Sequence, residues 1–153
     1  MTFTEELKEY IRRGIDNDPR FLITPYVCDA YQSNLVRTPK ITIYVMNDTE
    51  APAYSTFDGE EAASYSVQVT CFVEQAEFDG RMVSAQDYAK ALSAKIKSLF
   101  KKEKISSEIP SVIWSRRVGK SGALPFDSGE RMYMAPLRYD IFVATKYYEE
   151  KEI

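Results

Sequence analysis

The chain has 153 residues, 44% of them hydrophobic and 28% charged, and its net charge is −3. This length fits one domain, and the composition is that of a globular protein rather than of a disordered chain. No apolar run approaches the roughly 18 residues that a membrane span needs, and the N-terminal residues lack the basic and apolar regions of a signal peptide. We therefore expect a single domain over residues 1–153 that has no membrane partner and stays where it is made.

Histidine is absent, and the chain has two cysteines, Cys28 and Cys71. The absence of histidine removes the usual general base, the commonest zinc ligand and the usual partner of a serine or cysteine nucleophile. Two widely separated cysteines do not indicate a disulfide framework or a metal site, and we expect both to be reduced and mostly buried. The sequence therefore predicts no catalytic residues, no cofactor and no metal ion.

The N-terminal region predicts one helix followed by an irregular stretch. Apolar residues recur at helical spacing from Phe3 to Ile15, and the segment Asp16–Pro19 ends the pattern. Residues 21–27 could hold a short strand, but Pro25 interrupts it, which favours an edge or a bend. We treat this stretch as irregular.

Two strands are predicted in the middle of the chain, on either side of an acidic loop. Ile41–Met46 alternates β-branched residues and ends at an Asn-Asp pair, and residues 47–62 then lack any periodicity. The second strand runs from about Ser64 to Gln75. Its buried face should carry four residues: Val67, Val69, Cys71 and Val73.

The C-terminal half predicts a helix, two strands and a long loop. Asp79-Gly80 makes a turn, and a helix with a capping-box-like start runs from Ser84 to about Lys102. A strand candidate covers Ile109–Val118, and a loop follows over Gly119–Gly129. The last strand runs from about Met132 to Tyr148, and its apolar face should carry Tyr133, Ala135, Leu137, Tyr139, Ile141 and Val143.

This order of elements predicts an α+β fold. Hairpin-like connections favour a mostly antiparallel β-sheet packed against two main α-helices on one face, in a single domain. Within it Trp114 and Leu137 are candidates for the core, and packing is the default explanation for Tyr133, Tyr139 and Tyr147, which would share one strand face.

The arrangement resembles the tail terminator, or tail completion, proteins of long-tailed bacteriophages and prophages, some of which are labelled minor capsid or head-tail joining proteins. The resemblance covers nearly the whole chain and has no single sharp motif. Its elements are the N-terminal amphipathic helix, the strand Pro39-Lys-Ile-Thr-Ile-Tyr-Val, the strand Ala63-Ser-Tyr-Ser-Val-Gln-Val-Thr, the helix from Ser84, the segment Ile113-Trp-Ser-Arg-Arg and the strand Met132-Tyr-Met-Ala-Pro-Leu-Arg-Tyr-Asp.

The resemblance implies a structural virion protein at the head-proximal end of the tail, assembled in the bacterial host cytoplasm. Such a protein forms a ring, typically of six copies, which caps the tail tube, ends its polymerisation and offers a surface to the head connector protein. Its partners would be itself, the tail tube protein and the head connector protein. DNA would pass through the ring without specific binding, and the family has no catalytic residues to transfer.

The charge distribution is compatible with head-to-tail contacts between copies. The segment Lys95–Lys120 has eight basic and two acidic residues, whereas the remaining chain has a net charge of −9. Opposite patches on one subunit favour the heterologous contacts that close into rings. The simpler alternative is that the lysines between Lys90 and Lys104 form the solvated side of a helix.

Six residues are candidates for the contact with a neighbouring subunit or the tube. Four of them belong to the basic segment and the loop after it, whose length exceeds that of an ordinary hairpin, and two are aromatic residues of the acidic loop. They are Arg116, Arg117, Lys120, Phe126, Tyr54 and Phe57.

Three other functions remain as alternatives. A head-completion or connector protein is also a small subunit without chemistry, and a small nucleic-acid-binding α+β module could use the Lys95–Lys120 segment with strongly salt-dependent affinity. A histidine-free enzyme would instead need a pocket in which carboxylates or lysines converge.

Overall fold

The computed structural model of the chain describes residues 2–30, 38–47, 54–55, 61–119, 122–126 and 131–148. These ranges contain three helices, namely α1 (Phe3–Asp16), α2 (Ala85–Leu99) and α3 (Lys102–Glu108). They also contain nine strands: β1 (Tyr26–Asp29), β2 (Lys40–Asn47), β3 (Tyr54–Ser55), β4 (Glu61–Val73), β5 (Ala76–Phe78), β6 (Arg81–Val83), β7 (Val112–Val118), β8 (Leu124–Pro125) and β9 (Tyr133–Ala144).

Seven of these strands form one mostly antiparallel sheet. Its order is β1-β2-β4-β9-β7, with β3 paired to β4 and β8 paired to β9. The pair β1 and β2 is parallel, and every other pair in the sheet is antiparallel. Strands β5 and β6 form a separate hairpin. The predicted α+β class with a mostly antiparallel sheet is therefore confirmed.

The core lies between the helices and one face of the sheet. Side chains alternate across a strand, so the residues predicted for the buried faces of β4 and β9 share one side. Val67, Val69, Cys71 and Val73 on β4 are fully buried there, as are Ala135, Leu137, Tyr139, Ile141 and Val143 on β9. Helix α1 contributes Phe3, Leu7, Tyr10, Ile11 and Ile15, and helix α2 contributes Tyr88, Ala89, Leu92, Ile96 and Leu99.

Helices α1 and α2 approach each other closely. An ideal Cβ built on Gly14 would lie 2.6 Å from Leu99 Cδ2, so a side chain at this position would displace the buried leucine. The Tyr10 hydroxyl donates a hydrogen bond to the Leu99 carbonyl oxygen at 2.5 Å. The C-terminal end of α2 is thus held against the second half of α1.

Asp18, just after α1, forms an ion pair with Lys95 on α2. Its side chain is 8% exposed, and its carboxylate accepts hydrogen bonds from the Arg20 backbone and guanidinium and lies 3.2 Å from Lys95 Nζ. The hydrogen bonds from Arg20 are the largest influence, and with Lys95 they hold the pKa of the carboxyl well below its ordinary value although burial acts in the opposite direction. The aspartate therefore stays charged in the fold.

The second predicted helix is two helices. It ends at Leu99 rather than near Lys102, because Lys101 adopts extended backbone angles and a separate helix, α3, follows. A continuous helix would direct Glu103 and Lys104 towards the core, whereas the break places Ile105 there, fully buried. The strand predicted from Ile109 accordingly begins at Val112.

Two other boundaries differ from the sequence-based expectation. The stretch treated as irregular contains β1, which begins directly after Pro25 at the sheet edge, where a missing N–H is tolerated. The last strand ends at Ala144 rather than Tyr148, and a 3-10 turn over Thr145–Tyr147 follows. Tyr147 is therefore not on the strand face of Tyr139 but exposed on this turn.

Trp114 is not a core residue. A register shift in β7 between Val112 and Trp114 places the indole opposite Phe142 on the face of the sheet away from the helices. The two rings have centroids 5.1 Å apart, and Trp114 is only partly buried. Leu137, at 1% exposure, is a core residue.

The two residues should therefore respond differently to truncation. We expect Leu137→Ala to reduce the free energy of unfolding by about 2–5 kcal/mol, because it leaves a cavity in the fully packed layer. Trp114→Ala should cost less, since the indole keeps solvent contact in the native state. Urea unfolding followed by circular dichroism measures both, and an equal or larger loss for Trp114→Ala would contradict the assigned faces.

Replacement of Asp18 should give a pH-dependent loss of stability. Asp18→Asn removes the charged acceptor of Arg20 and Lys95 and should lower the free energy of unfolding at neutral pH by about 1–2 kcal/mol. Because the folded-state pKa is depressed, this contribution is fully present above the ordinary value of 3.8, declines below it and is lost only as the pH falls through the lower folded-state pKa. Thermal unfolding of both proteins between pH 7 and pH 2 should show the difference shrinking at the acidic end; a constant difference would contradict it.

Candidate interface

The structure describes the side chains of three of the six predicted contact residues. Arg116 and Arg117 lie on β7 and Phe126 directly follows β8. For Tyr54 the structure describes only the backbone, which pairs with Ala62 through β3 and β4. Lys120 and Phe57 lie outside the described residues, so their predicted roles remain predictions.

Arg116 and Arg117 lie on opposite faces of the sheet. Arg116 pairs in register with Asp140 and shares the face away from the helices, which we call the outer face. Its guanidinium carbon lies 5.2 Å from the centre of the Trp114 ring, and its Nη2 lies 3.4 Å from Asp140 Oδ2. Arg117 is opposite Tyr139 on the face of the helices. A single contact surface for both arginines would have to wrap around the edge strand.

Phe126 belongs to an exposed apolar corner at the other end of β9. Its side chain is 54% exposed, and Leu124 two residues earlier is 49% exposed. The Phe126 ring meets the Phe72 ring edge-on with centroids 5.3 Å apart, and the Phe126 N–H donates to the Met132 carbonyl oxygen at 2.8 Å. The backbone of this corner is fixed by a hydrogen bond, whereas its apolar side chains are exposed to solvent.

The outer face carries aromatic and polar side chains, and no helix in the described part of the chain packs on it. Tyr44 on β2 is 49% exposed, and Lys40 Nζ lies 5.0 Å from the centre of the Phe72 ring. A shallow cavity of about 280 Å³ opens here, lined by Ala30, Thr42, Tyr44, Gln68, Thr70 and Phe72. Such a surface can contact another protein through rings and hydrogen bonds.

The sequence-based set missed Phe72 and Phe142, which belong to this outer face. Both occupy positions of β4 and β9 that alternate with the buried residues, where a solvent-facing strand would have polar side chains. An aromatic residue at a strand position where a polar one is expected could therefore have indicated these surface rings. The candidates from the sequence were selected by charge and loop length, so they did not include them.

Neither cysteine is an activated nucleophile, and the described residues contain no cluster of metal ligands. Complete burial raises the pKa of Cys71 to about 12, and burial also raises that of Cys28, so neither thiol is activated. Within the described ranges, no group of three or more His, Cys, Asp or Glu side chains could hold a metal ion.

None of the helices in the described ranges is both long and apolar enough to cross a membrane.

The likeness of this chain to known proteins is structural. No protein-family model matches the chain, and no curated protein matches it. Among solved structures, a chain from the structure described as "Virion of native gene transfer agent (GTA) particle" superimposes with a TM-score of 0.58 at 14% sequence identity. The match covers 92% of this chain and 96% of that chain, so the two share their fold over almost their whole length.

The apolar corner should matter little for stability. We expect Phe126→Ala to change the free energy of unfolding by less than about 1 kcal/mol, because the ring is more than half exposed and loses one edge contact. Phe72→Ala, which removes the more buried partner, is the comparison. Chemical denaturation of both variants tests the assignment, and a loss for Phe126→Ala as large as that of a core truncation would refute it.

Proposed function

We propose that this chain is a structural subunit of a phage-like virion. In this proposal six copies form a ring on the head-proximal end of the tail tube, which stops tube polymerisation and gives the head connector protein a surface for head-tail joining. DNA passes through the ring without specific binding. The observation that carries the proposal is the fold shared over nearly its whole length with a chain of a gene transfer agent virion.

The two ends of the sheet support assembly between copies. In the described part of the chain, β1 and β7 are the terminal strands of the sheet order, and each has one side without a strand neighbour. Unpaired strand edges and exposed apolar corners are surfaces that other chains can complete. Because the two edges differ in sequence and lie at opposite ends of the sheet, contact between them would be head-to-tail, the type that closes into a ring.

The charges also differ between the two ends. At one end, α3 carries Lys102 and Lys104 and β7 carries Arg116 and Arg117, against the two acidic residues of α3. At the other end, α1 and β1 together carry five acidic and three basic residues. Complementary charge raises the encounter rate of copies and fixes their orientation more than it adds affinity.

A small nucleic-acid-binding module is the second candidate, and the basic segment is the observation that favours it. Binding to nucleic acid through this segment would weaken steeply as salt is raised, because counterions are released on binding. A subunit that only surrounds passing DNA should bind it weakly at all salt concentrations. Titration of labelled duplex DNA at two salt concentrations distinguishes the two functions.

If the proposal is right, the protein has a definite assembly mass in solution, and substitutions at the interface lower this mass. The wild-type protein should reach about six times the mass of the 17.6-kDa chain by light scattering at high protein concentration. Reversal of both edge arginines, Arg116→Glu with Arg117→Glu, should leave the circular dichroism spectrum unchanged and lower this mass, because both side chains are exposed on an edge strand.

A matched control is the reversal of two exposed basic residues away from both terminal strands, Arg81→Glu on β6 with Lys90→Glu on α2. It changes the net charge equally, and β6 lies in a separate hairpin while α2 packs on the central strands β4 and β9 without contributing to either edge. A wild-type mass of one chain at every concentration would contradict the ring. A mass near six chains in the Arg116/Arg117 variant, or an equal loss in both variants, would contradict the assignment of the interface to β7.

A further inference from the structure

A cavity at the β7 edge is surrounded by positive charge. It has a volume of about 370 Å³ and is lined by Lys97, Phe100, Lys101, Ser115, Arg117 and Tyr139. Lys97 comes from the last turn of α2, Lys101 from the break between α2 and α3, and Arg117 from β7. Three cations from separate parts of the chain thus converge on one opening beside the stacked rings of Phe100 and Tyr139, whose centroids are 4.5 Å apart.

One wall of the cavity carries an unsatisfied hydrogen-bond donor. Tyr139 is 3% exposed, and its buried hydroxyl has no hydrogen-bond partner among the residues that the structure describes. Burial raises the pKa of this hydroxyl to about 12, although the charge of the nearby Arg117 acts in the opposite direction. The group is therefore protonated at neutral pH and can donate. The neighbouring Ser115 hydroxyl already donates to the Phe100 carbonyl oxygen at 3.0 Å.

The positive charge around the cavity differs from that of the surrounding basic segment. Elsewhere in the segment, Lys95 pairs with Asp18 at 3.2 Å, Lys104 with Glu108 at 3.9 Å and Arg116 with Asp140 at 3.4 Å. Lys97 and Lys101 form no ion pair with a carboxylate in the described part of the chain. Lys97 and Lys101 therefore remain available to an anion that enters the cavity.

We propose that this cavity is an oxyanion-binding site, and that a carboxylate side chain from a second copy of this chain occupies it in the assembly. Lysine, arginine and a neutral tyrosine hydroxyl together supply the charge and the donors that a carboxylate accepts. The choice of a second copy rests on the proposed function. The oxyanion site itself rests on the cavity and its lining residues.

The shape of the site favours a side chain over DNA. Binding of a polynucleotide needs a row of cations that follows the backbone, whereas here three cations surround one cavity and the nearby Lys95, Lys104 and Arg116 already pair with carboxylates. A carboxylate at the tip of a flexible side chain can also approach the buried hydroxyl once a flexible lining side chain such as Lys97 moves aside. The phosphates of a duplex are fixed in the surface of a stiff helix and reach such a group less easily.

The first test compares two double variants of the full chain by concentration-dependent light scattering. Lys101→Gln with Arg117→Gln removes two cavity cations and should weaken self-association by about tenfold or more. Lys90→Gln with Lys102→Gln removes the same charge from exposed positions that do not line the cavity and should change it less than about twofold. Equal effects of the two variants, or no effect of the first, would overturn the occupant that we assign.

The second test uses Tyr139→Phe, which has opposite expected effects on folding and assembly. Removal of an unsatisfied buried hydroxyl should leave the thermal stability of the dissociated chain unchanged or higher. Self-association should weaken severalfold, because the carboxylate loses a donor. A variant that loses stability and assembles normally would show that the hydroxyl serves the fold and not the site.

Inorganic phosphate is the probe that separates the site from its occupant. At constant ionic strength, phosphate should raise the melting temperature of the wild-type protein relative to chloride and dissociate its assemblies, and the Lys101/Arg117 variant should show neither effect. Stabilisation of a chain that remains monomeric would support the oxyanion site and overturn the second copy as occupant. No stabilisation would overturn the site, even if a mass of six chains supports the proposed function.

Binding of labelled duplex DNA to the wild-type protein and to the Lys101/Arg117 variant is the last measurement. DNA binding that is lost in the Lys101/Arg117 variant, with unchanged self-association in that variant, would identify nucleic-acid phosphate as the occupant and overturn the proposed carboxylate.

Discussion

The pairing of β4 with β9 is the constraint on which the rest of the structure depends. Twelve consecutive residue pairs, from Ala62 with Ala144 to Val73 with Tyr133, join these strands at the centre of the sheet. A slip of one residue would exchange the faces of a whole strand. It would expose the leucine and valine layer that α1 and α2 cover and would direct Arg138 and Asp140 into the core. The register therefore fixes the core and the outer face together.

The periodic parts of the chain were predictable from the sequence, and the interruptions of the period were not. Alternation over β4 and β9 and the helical stripe of α1 identify buried faces without any tertiary information. The break at Lys101 and the register shift before Trp114 depend on how Ile105 and Val112 meet the core, which no local pattern encodes. Strand β1 was not predicted because it has only four residues, directly follows Pro25 and pairs with β2 across a stretch of chain.

The arrangement of the candidate contact residues was less predictable than the fold for a related physical reason. Charge and loop length identified Arg116, Arg117 and Phe126, but only the register separates the two arginines onto opposite faces of β7. The cavity near Tyr139 joins residues from α2, from the helix break and from two strands. Sequence spacing cannot show that these residues converge, and it cannot show that the tyrosine hydroxyl lacks a partner.

The central claim is that copies of this chain close into a ring around a channel, and negative-stain electron microscopy of the concentrated protein tests it most directly. The account predicts closed rings of six subunits with a central hole wide enough for duplex DNA. Open filaments, compact dimers or isolated subunits under conditions where the chain is folded would contradict it.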